Sequence, residues 1–213
     1  PLNNNIPDWL KYIAEDRLEE AYEISSSTNA FPEVCGRVCP QDRLCEGNCV
    51  VEKAGFGSIT IGSLEKHITE TAWEKGWIKP IVSSKKQNQK VAIIGSGPAG
   101  LAAATYLIEY GYDVEVFEKN DRIGGLMIYG IPNFKLDKSV VIRRYEWLKE
   151  SGVIFHTNCE VGKDITFDDL EKNFDAILIS TGVYKARSLD LNTKKVHNSV
   201  PALDYLIESN RVG

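Results

Sequence analysis

In the first third of the chain the apolar positions follow a helical rhythm. Trp9, Leu10, Ile13, Leu18, Ala21, Tyr22 and Ile24 recur at three- and four-residue spacing, which predicts one amphipathic helix with Asp8 as its cap. The polar cluster Ser25-Ser26-Ser27-Thr28-Asn29 ends it. A further helix is predicted from Ser63 to Lys75, with Ser63 as cap and with Trp73 and Trp77 sharing a face if the helix continues. From Val91 onward the rhythm changes. Short continuous apolar runs, Val91–Ile94, Val114–Phe117, Val153–His156 and Asp175–Ser180, read as strands, the first of them a buried parallel one. Helical stretches lie between them: Ala99–Tyr110, then Lys138–Ser151 opened by Asp137, then Phe167–Lys172. The polar run Ser83–Lys90 (SSKKQNQK) reads as a linker, so the predicted domains are 1–84 and 85–213.

The junction between the first strand and its helix carries chemistry. Gly95-Ser96-Gly97-Pro98-Ala99-Gly100 matches G-x-G-x-x-G. Gly95 suits the tight turn, Gly97 lets backbone approach a pyrophosphate, and Gly100 lets helix and strand pack closely. The helix N-terminus offers free N–H groups and partial positive charge to phosphates. Glu118 ends the next strand, about 20 residues on, where an acid can accept hydrogen bonds from an adenosine ribose. Strand, turn, helix and acid together are the context that turns a weak motif into a dinucleotide site.

Bulk properties narrow the classes. The 213 residues are 43% hydrophobic and 26% charged with a net charge of −5, which gives no electrostatic case for nucleic acid or an anionic membrane. No apolar run approaches the roughly 18 residues of a membrane span. The opening residues show no basic-then-apolar leader, and with a dinucleotide fold a cytoplasmic location is the default expectation.

In that compartment the cysteines read as thiols or metal ligands. Cys35, Cys39, Cys45 and Cys49 stand at C-x3-C-x5-C-x3-C. The spacing leaves three options open: an iron–sulfur site, a zinc site or incidental thiols. Cys159 reads as a buried thiol, and His67 and His156 as structural histidines. Neither a Ser–His–Asp order nor H-E-x-x-H is present.

Several longer runs carry a resemblance: PLNNNIPDW, STNAFPEVCGRVCPQDRLCEGNCV, ITIGSLEKHITETAW, VAIIGSGPAGLAAA, FEKNDRIGGLMIYGIPNFKL, STGVYKAR and VPALDYLIESNR. They resemble the N-terminal half of the glutamate synthase small (beta) subunit and the N-terminal part of dihydropyrimidine dehydrogenase. YGIP, TGVYKAR and PALDYL favour the glutamate synthase branch. The resemblance implies an α/β Rossmann-like FAD-binding domain, incomplete here, preceded by a small all-α, cysteine-containing, ferredoxin-like helical domain. In that family hydride passes from NAD(P)H to FAD. Electrons then pass through iron–sulfur (4Fe-4S) centres to a large-subunit partner that forms glutamate from glutamine and 2-oxoglutarate.

By position, Gly95, Ser96, Gly97, Pro98 and Ala99 hold the FAD pyrophosphate, with Gly100 behind them. Glu118 binds ribose, and Lys119 to Leu126, including Gly124 and Gly125, line that side. Val161 touches the adenine through its backbone, and Thr181-Gly182 is the turn that returns to the flavin nucleotide. Lys135 stands where relatives usually carry Arg. Cys39, Cys45, Cys49 and Glu65 match cluster ligands, and Cys35 matches none. Upstream cluster cysteines and the NAD(P)H domain are expected outside this chain, so the chain alone is expected to be inactive and its cluster incomplete. The alternatives are a non-redox binding module, a zinc-stapled one, or an electron-transfer flavoprotein of the dihydropyrimidine dehydrogenase type.

Overall fold

The computed structural model describes residues 3–185 and 199–212. Pro1 and Leu2 of the first quoted run, and Ala186 and Arg187 of STGVYKAR, lie outside the described residues. The chain divides into two compact units, Pro1–Pro80 and Ile81–Gly213.

The first unit contains α1 (Ile6–Ala14), α2 (Leu18–Ser26), α3 (Pro32–Val38), a 3₁₀ turn (Gln41–Arg43), α4 (Val50–Lys53) and α5 (Ile61–Glu74). Trp9, Ala21 and Ile68 are fully buried, with Ile6, Leu10, Ile13, Leu18, Ile24 and Leu64 packed around them. The stretch predicted as one helix from Asp8 is therefore two. Asp16 turns the chain at φ +57°, a conformation that short polar side chains tolerate. The N–H groups of Asp16 and Arg17 close back on the carbonyls of Ile13 and Tyr12. The apolar rhythm carries across the break because both helices face one core, so periodicity alone does not reveal it. Asn5, not Asp8, precedes the first helix, and Thr60, not Ser63, precedes α5. At the far end of α5, Trp77 N–H bonds Ala72 O and Gly76 N–H bonds Trp73 O, a Schellman turn that takes Trp77 off the helix.

The second unit runs β1 (Lys90–Ile94), α6 (Pro98–Glu109), β2 (Asp113–Phe117), α7 (Leu126–Tyr129), α8 (Lys138–Glu150), β3 (Ile154–His156), α9 (Phe167–Asn173), β4 (Ala176–Ile179) and α10 (Ala202–Val212). The strands form a parallel sheet in the order β3-β2-β1-β4. Ile93 lies opposite Val116 and Leu178, which sets the central register. On one sheet face Ala92 and Phe117 meet the buried Leu170 of α9. Val91 and Ile93 alternate to the other face by the strand period of two. A capping box between Thr166 and Asp169 starts α9, and Asp137 caps α8 through Ser139 N–H at 2.8 Å.

The polar run expected as a free linker belongs to this second unit. Gln87 N–H donates to Gly111 O at 2.9 Å and Lys90 N–H to Asp175 Oδ2 at 2.7 Å, and just ahead of the run Ile81 N–H donates to Ser151 Oγ at 2.9 Å. Its side chains are polar because they face water, while its backbone is tied down. The boundary between the units accordingly falls slightly earlier than the sequence pattern places it.

Candidate dinucleotide site

All the elements that build the site converge at the C-terminal ends of the strands. β1 delivers the chain to Gly95, whose φ is +103° and whose missing Cβ would stand 2.7 Å from Ser180 O. A Cβ on Gly100 would stand 2.1 Å from Gly95 O. The protein itself demands glycine at both positions. Gly97 differs: its φ is −65°, open to any residue, and no heavy atom lies within 4 Å of its Cβ position. Nothing in the protein requires glycine there, and the space above it is a cavity of about 610 Å³.

Of the residues singled out from sequence, Gly95, Ser96, Gly97, Pro98, Ala99, Glu118, Lys119, Gly125, Leu126, Val161, Thr181 and Gly182 line this cavity. Three do not. Gly100 lies beneath, at the packing contact just described. Gly124 faces inward against Ile128 and Val141. Lys135 sits on an exposed loop away from the cavity, where its N–H bonds Pro132 O.

Ser96 joins three loops. Its N–H (3.1 Å) and hydroxyl (2.6 Å) donate to Glu118 Oε2, and its hydroxyl oxygen accepts from Gly124 N–H at 3.1 Å. Glu118 Oε1 accepts from Asn120 N–H at 2.9 Å and Asn120 Nδ2 at 2.7 Å. The Glu118 carboxylate is buried, and four protein donors serve it. Its backbone is stitched in as well, N–H to His156 O and carbonyl to Cys159 N–H. At the far side Ser180 Oγ donates to Ile94 O and Gly95 O, fixing the turn that carries Thr181 and Gly182.

Sequence reasoning missed Cys159 and Tyr184, which also line the cavity. Tyr184 lies under Lys119 Nζ, 4.9 Å from the ring centroid, and burial, aided by Glu118, pushes its hydroxyl pKa up. STGVYKAR held that signal in its tyrosine, but only the fold brings it to Lys119.

The cysteines of the first unit are arranged otherwise. All five cysteines of the chain are free. Asn29 bridges Glu65 and Cys35: Nδ2 donates to Glu65 Oε1 at 3.1 Å, and Cys35 Sγ donates to Oδ1 at 3.6 Å. Burial pushes Glu65 up to about 7 against that hydrogen bond, and pushes Cys35 up to about 11 with Cys39 and Glu65 adding to the effect. Cys39 is exposed and Cys49 is buried, its thiol held below the usual range first by backbone hydrogen bonding at Ile59. Among the described residues, no three His, Cys, Asp or Glu side chains are placed to hold a metal ion.

Residues 1–77 match the family described as dihydropyrimidine dehydrogenase domain II, 4Fe-4S cluster, and residues 93–140 match the NAD(P)-binding Rossmann-like domain. Over 212 residues the chain is 56% identical to the glutamate synthase [NADPH] small chain of Azospirillum brasilense, covering 100% of this chain and 44% of that protein. This chain is a homologue of the glutamate synthase small chains. The Escherichia coli K12 small chain is 45% identical over 211 residues, with 99% of this chain and 44% of that one covered. The chain thus spans less than half the length of these curated relatives. Among solved structures, FprA of Mycobacterium tuberculosis in complex with NADPH superposes with a TM-score of 0.51 at 23% identity, over 56% of this chain and 28% of that one, which supports the Rossmann-like fold. No helix among the described residues is long and apolar enough to cross a membrane.

Proposed function

We propose that the second unit of this glutamate synthase small-chain homologue holds FAD in the cavity above Gly97. The protein to which it belongs then acts in the cytoplasm as an NADPH-dependent oxidoreductase subunit, serving a large-subunit partner that makes glutamate from glutamine and 2-oxoglutarate. The observation that carries this reading is the vacant Cβ position of Gly97 at the N-terminus of α6. A glycine kept where neither backbone nor packing needs one leaves room for something to approach the backbone.

The residues fit the group. Gly97 and Ala99 present backbone N–H groups, and Pro98, which has none, opens α6 so that its positive dipole end faces a pyrophosphate. In this reading Glu118 meets the ribose and Val161 the adenine, and Lys119, which also lines the cavity, adds positive charge on the ribose side. When bound, FAD supplies the exchange between two-electron hydride chemistry and single electrons. The cysteines and Glu65 of the first unit do not converge on a metal position, so no electron step is assigned to them here.

Titration of the 213-residue chain with FAD and ADP, followed by flavin fluorescence and calorimetry, tests the reading. Gly97→Val should weaken both ligands at least about tenfold, because a buried clash or a lost phosphate contact is worth more than about 1.4 kcal/mol. Its melting temperature should stay close to that of the parent. Unchanged affinity in the variant sinks the assignment.

A further inference from the structure

We propose that Asn210, on α10, is a positioning residue for this cavity: it clamps the loop that presses Gly124 and Gly125 against the Ser96–Gly97 turn. The inference rests on the reading of the cavity as a dinucleotide site.

The loop is held at its inner end by the Ser96 hydroxyl, which accepts from Gly124 N–H. Gly125 comes so close to the turn that a Cβ there would stand 2.8 Å from Gly97 Cα. Gly125 and Leu126 then face the cavity. The outer end has no such support from the nucleotide turn and is fastened differently. Tyr129, the last residue of α7, folds back across the loop. Its hydroxyl accepts from Arg122 N–H at 3.0 Å and donates to Asp121 Oδ1. Tyr129 therefore staples the loop entrance to the loop exit, and a displacement of either moves Gly124 and Gly125.

The staple is itself pinned by α10. Asn210 is 8% exposed. Its Nδ2 donates to Tyr129 O at 3.1 Å and to Leu206 O at 2.8 Å, while its main-chain carbonyl accepts from Arg122 Nη2 at 3.2 Å. The side chain of Asn210 thus holds Tyr129, and its main chain receives Arg122, from outside the loop and some eighty positions along the chain. The Arg122 guanidinium, 5.0 Å from the Tyr129 ring centroid, completes the packing. Tyr129 O lies at the C-terminal end of a four-residue helix, where carbonyls lack intrahelical partners, so losing the amide leaves a buried acceptor unpaired. None of these groups lines the cavity, which makes the effect on a ligand indirect.

The test compares the parent chain with Asn210→Ala and with Asn210→Asp, which keeps the shape but lacks the donor. Amide hydrogen exchange is read across residues 119–126, with α9 and β1 as internal references, and ADP affinity is read by calorimetry. The expected result in both variants is faster loop exchange with unchanged references, and ADP binding about five- to tenfold weaker, the scale of one unpaired buried acceptor. Loop exchange and affinity both equal to the parent overturn the clamp. Faster loop exchange with unaltered ADP affinity also overturns it, since the clamp is then only structural. A parent chain that binds neither ADP nor FAD instead overturns the underlying dinucleotide reading, a result the variants cannot produce.

Discussion

The turn from Gly95 to Gly100 and the run from Cys35 to Cys49 are equally dense in chemistry-bearing residues, yet the fold treats them differently. The glycine turn is assembled by the protein alone. β1 and β4 fix its ends, Gly100 of α6 packs against the Gly95 carbonyl, and Ser96 joins it to Glu118 and Gly124. The cysteine run has a backbone frame of its own, with Gln41 Nε2 donating to Gly36 O at 2.9 Å and Asn48 Nδ2 to Leu44 O at 2.9 Å. Among the described residues, no three of its thiols and neighbouring carboxylates are nonetheless placed to hold a metal ion. A dinucleotide site made of backbone and glycine is preformed by sheet geometry. A thiolate site draws part of its folding energy from the metal.

Breaking the preformed region should produce the largest effect. Gly95→Val places a branched side chain at φ +103° against Ser180 O, so loss of more than about 3 kcal/mol, or failure of the second unit to fold, is expected in urea unfolding. Gly97→Val, two residues away, should cost no more than about 1 kcal/mol, the scale of an unfavourable residue at a helix N-cap. Equal destabilisation by the two would erase the distinction between a glycine the fold needs and one that a ligand needs.

A middle-sized effect should come from Ser96→Ala. It leaves Gly124 N–H without its acceptor and Glu118 with one donor fewer, both buried, at a cost of about 1–3 kcal/mol. Urea unfolding measures that cost. Calorimetry should show weaker ADP binding as well, because the same hydroxyl sets the spacing of two cavity-lining loops. A neutral substitution would mean the loops are held elsewhere.

The smallest effect sharpens the contrast between the units. Cys159 lines the cavity and Cys39 is exposed on the first unit. Saturating ADP or FAD should slow alkylation of Cys159 severalfold and leave Cys39 at its original rate, as read by mass spectrometry of the labelled peptides. Equal rates with and without ligand would place the nucleotide outside this cavity.

Much of the second unit is legible in sequence because its signals are local. Val91–Ile94, Val114–Phe117, the glycine turn and Glu118 each occupy a few consecutive residues, and the strand and helix bounds differ from expectation by a residue or so. What sequence could not show depends on contacts between distant segments. Asp16 breaks a helix without breaking its apolar rhythm, Tyr184 reaches Lys119 only through the sheet, and α10 reaches Tyr129 through Asn210 and Arg211. The family resemblance assigns Lys135 to the flavin side, whereas the loop that carries it turns toward solvent. The pairing of Cys35 with Glu65 through Asn29 was equally out of reach, because nothing in C-x3-C-x5-C-x3-C refers to position 29 or 65.

The four donors on Glu118 bear on what this pocket can discriminate. An ionised carboxylate offers about four lone-pair positions, and here the protein already occupies them. A sugar hydroxyl arriving at that oxygen pair swaps places with Ser96 or Asn120, so the count of hydrogen bonds stays level and the sugar contributes little net attraction. The unfilled demand lies at the N–H groups of Gly97 and Ala99 at the start of α6, which await an anion. Selectivity in this pocket is therefore weighted toward the charged middle of a dinucleotide, and adenosine without phosphate is a poor occupant.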